Sequence, residues 1–214
     1  MICLQILAFL WHVIGIVVAD RVVMTNNGPV QGVTVSSEDA MDIEAFLGIP
    51  YAEPPIGRLR FLKPIPKTPW MGVFDASTLP PTCIQNVTFH YYYEPNVDNM
   101  TEDCLHLNLW VPYSKNSTQL KPIIIFIHGG ALNVGSSNMK VYDGTNLAQF
   151  GDVIVASMNY RVGVMGFFTA FIDDANGNMG IYDQILAMNW IKDNARSFGG
   201  DPNHIVLMGE SAGP

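Results

Sequence analysis

The sequence predicts an α/β fold: a mostly parallel central sheet with crossover helices and a small antiparallel hairpin near the amino end. Three observations carry that expectation. The runs "PIIIFIHGG" (122–130), "DVIVASMNY" (152–160) and "HIVLMGES" (204–211) are short and apolar, and each ends in polar or small residues. That is the pattern of strands covered on both faces. Between the last two, Ile181, Ile185, Met188, Ile191, Ala195 and Phe198 recur at helical spacing. A buried strand, a helix and another buried strand make a βαβ unit, whose two strands run parallel.

The elements follow in order. Residues 1–19, "MICLQILAFLWHVIGIVVA", carry no charged side chain and read as a secretory signal peptide cleaved after Ala19, so that Asp20 starts the mature chain. The competing reading is an uncleaved membrane anchor, because the run approaches spanning length. Residues 21–25 and 30–35 are β-branched runs around "NNGP", a hairpin signal. A loop-rich stretch follows, with Pro50, Pro54, Pro55, Pro64, Pro66 and Pro69 removing backbone donors. "LHLNLWV" (105–111) alternates as a strand with one face more buried. After the helix, Gly199-Gly200 is the stop and Asp201-Pro202 the turn into the last strand.

A chain of 214 residues, about half apolar, suffices for one domain, here residues 20–214. Its net charge of −8 argues against nucleic acid or anionic lipid as the main partner. Membrane association is expected only through an uncleaved amino-terminal segment or sequence after Pro214. No cofactor is implied, and two mature cysteines cannot specify a zinc site. In an oxidising compartment, Cys83 and Cys104 read as one bridge closing a loop of about 20 residues. Such a bridge contributes roughly 3 kcal/mol in the chain-entropy account. Two separate buried thiols, or pairing with cysteines outside this chain, are the alternatives. Asn86, Asn99 and Asn116 each begin an N-x-[ST] sequon, and their clustering suggests a glycosylated surface.

The chemistry concentrates at the ends of two runs. Gly209-Glu210-Ser211-Ala212-Gly213 fits G-x-S-x-G, which bends a strand sharply into a helix and exposes the serine hydroxyl. The apolar run ahead of it supplies the strand that the motif needs. His128-Gly129-Gly130-Ala131 follows another buried run. Taken alone it is an ordinary glycine-rich turn. Beside the serine turn it reads as an oxyanion loop, with the N–H groups of Gly130, Ala131 and Ala212 as donors. In parallel sheets ligands sit outside the carboxyl ends of the strands, where both motifs fall.

These residues resemble the type-B carboxylesterases and cholinesterases of the α/β-hydrolase fold. "EDCLHLNLWVP" (102–112) is similar to their cysteine signature, with His106 where Tyr, Thr or Phe is usual. "FGGDPNHIVLMGESAG" (198–213) matches their serine signature, and "GIPYAEPPIGRLRF" and "NYRVGVMGF" resemble further family segments. The resemblance implies hydrolysis of small-molecule carboxylic esters through an acyl-enzyme on Ser211, outside the cell, and it supports the Cys83–Cys104 bridge. It also implies that the triad acid and histidine lie after Pro214, since members continue well beyond this point in the order Ser, acid, His. The chain would then be the amino-terminal part of an esterase, inactive alone. A catalytically silent extracellular binding relative is the alternative.

An internal base is the weaker expectation. Among the histidines only His128 falls near the serine, and its motif suggests a role in shaping the loop. Glu210 reads as a buried polar contact rather than a triad acid. Cholinesterases hold the cationic head group on a Trp shortly before the signature cysteine. Here that stretch is "YYYEPN", with no Trp between Trp70 and Trp110, which favours uncharged esters.

Overall fold

The computed structural model describes residues 21–35, 42–86, 99–113, 119–172 and 175–213. The segment 1–19, Asn116 and the "YYYEPN" stretch lie outside the described residues. In chain order, β1 (Val22–Thr25), β2 (Gly28–Gln31), β3 (Val33–Val35) and β4 (Ile43–Pro50) come first. Three two-residue strands follow: β5 (Phe74–Asp75), β6 (Thr82–Cys83) and β7 (Met100–Thr101). Then come β8 (His106–Pro112), β9 (Lys121–Ile127), helix α1 (Thr145–Gly151) and β10 (Ile154–Met158). The short helix α2 (Gly163–Phe167), β11 (Thr169–Ile172), β12 (Ala175–Asn176), helix α3 (Met179–Asn194) and β13 (Gly200–Gly209) complete the order.

Six strands form the central sheet, in the order β13-β9-β10-β8-β4-β3. The three apolar runs are contiguous, with β10 and β13 both parallel to β9. Only β10 is covered on both faces as expected: β9 alternates, and β13, at an edge of the sheet, is largely exposed. The other three pairings, β10 with β8, β8 with β4 and β4 with β3, are antiparallel. The sheet is therefore mixed: parallel where helices cross over, antiparallel where the early strands extend it.

Alternate residues along the strands face opposite layers. Leu107, Leu109, Ile123, Ile125, Ala156 and Met158 share a core with Ala187, Trp190 and Ile191 of α3. Trp110 and Val155 turn the other way, onto Ala148 of α1. Phe46 meets Phe198 edge-on, ring centroids 5.1 Å apart.

Several local expectations change. The run 30–35 is not one strand, because it divides between the small sheet β1-β2-β5 and the edge of the main sheet. The break falls at Gly32, which presses so closely on the Ala45 backbone and Phe46 that a Cβ would stand 2.8 Å from the Phe46 ring. The hairpin turn is Asn26-Asn27, and the left-handed residue is Gly28 at φ +138°. Residues 43–50, expected as loop, are an eight-residue strand. Burial on both faces removed the alternation that would have marked it, and the prolines after it suggested coil. β8 is likewise buried on both sides, Asn108 included. The Asn108 amide is satisfied by Gly48 N–H at 2.9 Å and by the hydroxyls of Ser137 and Ser157.

The expected stripe holds at Ile191, Ala195 and Phe198, which are buried, but the first half of the helix faces the core one step round from it. Ile181 and Ile185 are exposed, whereas Asp183, Gln184 and Asn194 are buried with Ala187, Trp190 and Ile191. Asp183 accepts from Arg161 Nε at 2.8 Å, Nη2 at 2.7 Å and backbone N–H at 3.0 Å. Burial raises the Asp183 carboxyl pKa, and the Arg161 hydrogen bonds and charge oppose that rise. A carboxylate so completely paired belongs inside, which a rule based on apolar spacing cannot foresee. Gly199 ends the helical segment at φ +82°, as expected for a left-handed stop. Asp201-Pro202 lies within β13, as an irregularity between Gly200 and Ile205.

Candidate active site

The parallel register brings the two motifs to one end of the sheet. Gly209, the last residue of β13, stands opposite Ile127, the last residue of β9. The chain after each strand therefore leaves side by side. From β13 it turns at once: Gly213 N–H donates to Glu210 O at 2.8 Å, and Ser211 sits at φ +53°. A left-handed backbone at a non-glycine residue costs on the order of 1–3 kcal/mol and persists only where its surroundings enforce it. Here the enforcement is close packing. A Cβ on Gly213 would collide with Ile127 O and stand 2.9 Å from Glu210 N, so only glycine fits. Ser211 itself is exposed.

The glycine loop lies against this turn. A Cβ on Gly129 would stand 3.0 Å from the Ser211 Cβ and would overlap the Glu210 carboxylate and carbonyl. Glu210 is thus an exposed residue laid beside Gly129, not a buried contact. Three consecutive residues, Gly130 (φ +109°), Ala131 (φ +53°) and Leu132 (φ +60°), have left-handed backbones. The loop then closes on itself, Asn133 and Val134 N–H both donating to Gly130 O. Among the described residues, the N–H groups of Gly130, Ala131 and Ala212 make no backbone hydrogen bond.

His128 supports the loop from below. It is 1% exposed, stacked on Tyr160 with ring centroids 4.3 Å apart, and its Nδ1 meets Gly129 O at 2.9 Å. Tyr160 O–H donates to His128 O at 2.7 Å. Burial pulls the His128 pKa down to about 4, so the ring is neutral at pH 7. With Nδ1 donating, Nε2 carries the lone pair, and it is buried without a partner. Neither His128 nor the other described histidines hydrogen-bond to Ser211: His106 lies in β8, and His204 lies in β13, away from the serine turn.

A polar girdle behind the loop was not anticipated. Asn159 Oδ1 accepts from Ser137 N–H and Oγ and from Ser136 Oγ, and its Nδ2 donates to Pro81 O at 2.9 Å. Ser136 also meets Thr82, beside the disulfide, at 3.1 Å. The segment "NYRVG" was legible only as a family match, because single polar residues after an apolar run do not announce their partners. Cys83 and Cys104 are bridged, with Cα atoms 5.0 Å apart. Trp70 is committed to the hairpin, its Nε1–H donating to Pro29 O. Asn86 and Asn99 are both exposed.

Three parallel strands with helices on both faces and antiparallel strands beyond them are the opening part of the α/β-hydrolase sheet. The comparison with known proteins agrees: residues 19–214 match the carboxylesterase family, and the chain belongs to it. It is 45% identical over 195 residues to acetylcholinesterase-1 of Trittame loki, covering 90% of this chain and 35% of that protein. The acetylcholinesterase of Danio rerio is 45% identical over 201 residues, covering 91% of this chain and 32% of that protein. That of Electrophorus electricus is 45% identical over 199 residues, with 89% and 31% covered. The chain spans about a third of the length of these curated relatives.

Proposed function

We propose that this chain supplies the nucleophile and oxyanion loop of a secreted serine hydrolase acting on small-molecule carboxylic esters. The observation that carries the reading is the left-handed Ser211, exposed at the end of β13 beside Gly129. In this reading Ser211 Oγ attacks the ester carbonyl carbon and its proton passes to a base. The carbonyl oxygen becomes an oxyanion held by the N–H groups of Gly130, Ala131 and Ala212. Collapse expels the alcohol, which takes the proton, and leaves an acyl-serine that water hydrolyses. Each donor of this kind is worth roughly 10²–10³ in kcat.

The base and its acid partner are assigned to chain following Pro214. That assignment rests on the chain's span of about a third of its relatives and on His128, whose buried ring is committed to Gly129 O and Tyr160. Residues 20–214 are then the amino-terminal part of one catalytic domain, preceded by a cleaved signal, with the exposed Asn86 and Asn99 as glycan acceptors. Uncharged esters are the proposed substrates, because the sequence offers no Trp between Trp70 and Trp110. A choline ester is the second reading, since the relatives are acetylcholinesterases.

The test is mass spectrometry after treatment with a fluorophosphonate, comparing the 214-residue chain with the longer secreted protein. Ser211 should be phosphonylated in the longer protein, the signal should vanish in Ser211→Ala, and the 214-residue chain should label hardly at all. Strong labelling of the short chain would put the base within these residues, with His128 the first suspect.

A further inference from the structure

Gln85 lies two residues after the disulfide cysteine Cys83 and outside every motif described above. Its side-chain amide pairs with one backbone unit of the glycine loop in both directions. Gln85 Nε2 donates to Gly135 O at 2.8 Å, and Gly135 N–H donates to Gln85 Oε1 at 2.8 Å. The same Nε2 donates to Cys83 O at 3.0 Å, which fixes the rotamer from behind. The disulfide in turn ties Cys83 to Cys104, at the entry to β8.

Gly135 is where such a clamp has leverage. It is left-handed, at φ +117°, and a Cβ there would collide with the His128 ring, 2.8 Å from Cε1, and with Gly129 O. The returning limb of the loop is therefore pressed onto its start. Gly130 in turn packs on Val134, so residues 129–135 close as one compact turn. A second fastening is Gly163 N–H to Leu132 O at 2.7 Å.

We infer that Gln85 is a positioning residue for the oxyanion loop: its two-way pairing with Gly135 holds residues 129–135 in the conformation that presents the Gly130 and Ala131 N–H groups toward Ser211. The inference rests on the esterase reading for its kinetic consequence but not for the tether itself. A displacement of about 1 Å in such donors is enough to cost on the order of 10²-fold in rate.

The experiment uses the longer secreted protein as wild type, Gln85→Ala and, as a neighbour control, Ile84→Ala. Amide hydrogen exchange across 129–136 reads the tether. Hydrolysis of a neutral ester reads its consequence. Gln85→Ala is expected to lose roughly 10-fold of exchange protection in 129–136. Its kcat is expected to fall about 10-fold or more with KM changed less than about 2-fold, because oxyanion donors act chiefly in the transition state. Ile84→Ala should match wild type in both. Unchanged exchange in Gln85→Ala overturns the inference, and so does faster exchange with unchanged kcat. Lost protection in a protein whose wild-type Ser211 never reacts would uphold the tether and bring down the esterase reading alone.

Discussion

Gly129→Ala isolates the contact between the glycine loop and the serine turn. A single methyl group at this position would overlap the Glu210 carbonyl oxygen by about 1 Å relative to ordinary contact at 3.4 Å. It would also stand 3.0 Å from the Ser211 Cβ. The Glu210 carboxylate is the far end of a side chain, whereas the carbonyl cannot move without the turn. The loop and the turn must therefore part by about 1 Å, a displacement that typically costs ~10² in rate, or about 2.7 kcal/mol of transition-state stabilisation. Overpacking of this kind also costs about 1–3 kcal/mol of stability. The assay is the rate of fluorophosphonate labelling of Ser211 in the longer form that the esterase reading requires, measured beside the melting temperature. The expected result is labelling slowed about 100-fold while the protein remains folded at the assay temperature. Labelling within about 2-fold of wild type would refute the reasoning, because the loop would then not be held against Ser211.

Two further predictions concern stability. His128 has its pKa lowered from 6.5 to about 4 by burial, so its contribution is fully present above pH 6.5 and is lost as pH falls toward 4. Between pH 6.5 and 5 that loss is about 2 kcal/mol. Urea unfolding of wild type and His128→Gln should show the wild type losing about that much more over the interval, and parallel declines would contradict the buried neutral ring. The second concerns β13, one of the two edge strands of the main sheet among the described residues, where Val206, Leu207 and Met208 are about half exposed. Beside it, Met188, Lys192, Pro202, Ile205 and Leu207 line an open groove of about 430 Å³. The 214-residue chain is expected to self-associate through this apolar edge. A monodisperse monomer by sedimentation, with a cooperative melt, would oppose it.

Local pattern was enough to reveal the parallel strands of this protein and the two glycine motifs at their ends. Apolar runs ending in glycine or polar residues are indeed parallel strands, but only β10 is covered on both faces, whereas β9 alternates and β13 lies half exposed at the sheet edge. That His128-Gly129-Gly130 and Gly209–Gly213 both follow the carboxyl ends of parallel strands was legible, whereas the direct pairing of β13 with β9, which sets them side by side, was decided by the fold. The cysteine pair was also legible, on the expectation of an oxidising compartment and of a leader that removes Cys3, and the two are bridged. Tertiary structure alone decided what polar residues would bury. The inward face of α3 carries Asp183 because Arg161 comes from a distant loop to neutralise it, and no local pattern encodes that partner. β4 was hidden for the same reason, its alternation erased by layers on both sides. Gln85 shows the limit most plainly: a lone glutamine after a cysteine has no signature, and its meaning lies in a two-way pairing with a backbone 50 residues away. Periodicity reports the environment of a residue's own element, whereas a buried polar group is defined by its partner, which only the folded chain brings into reach.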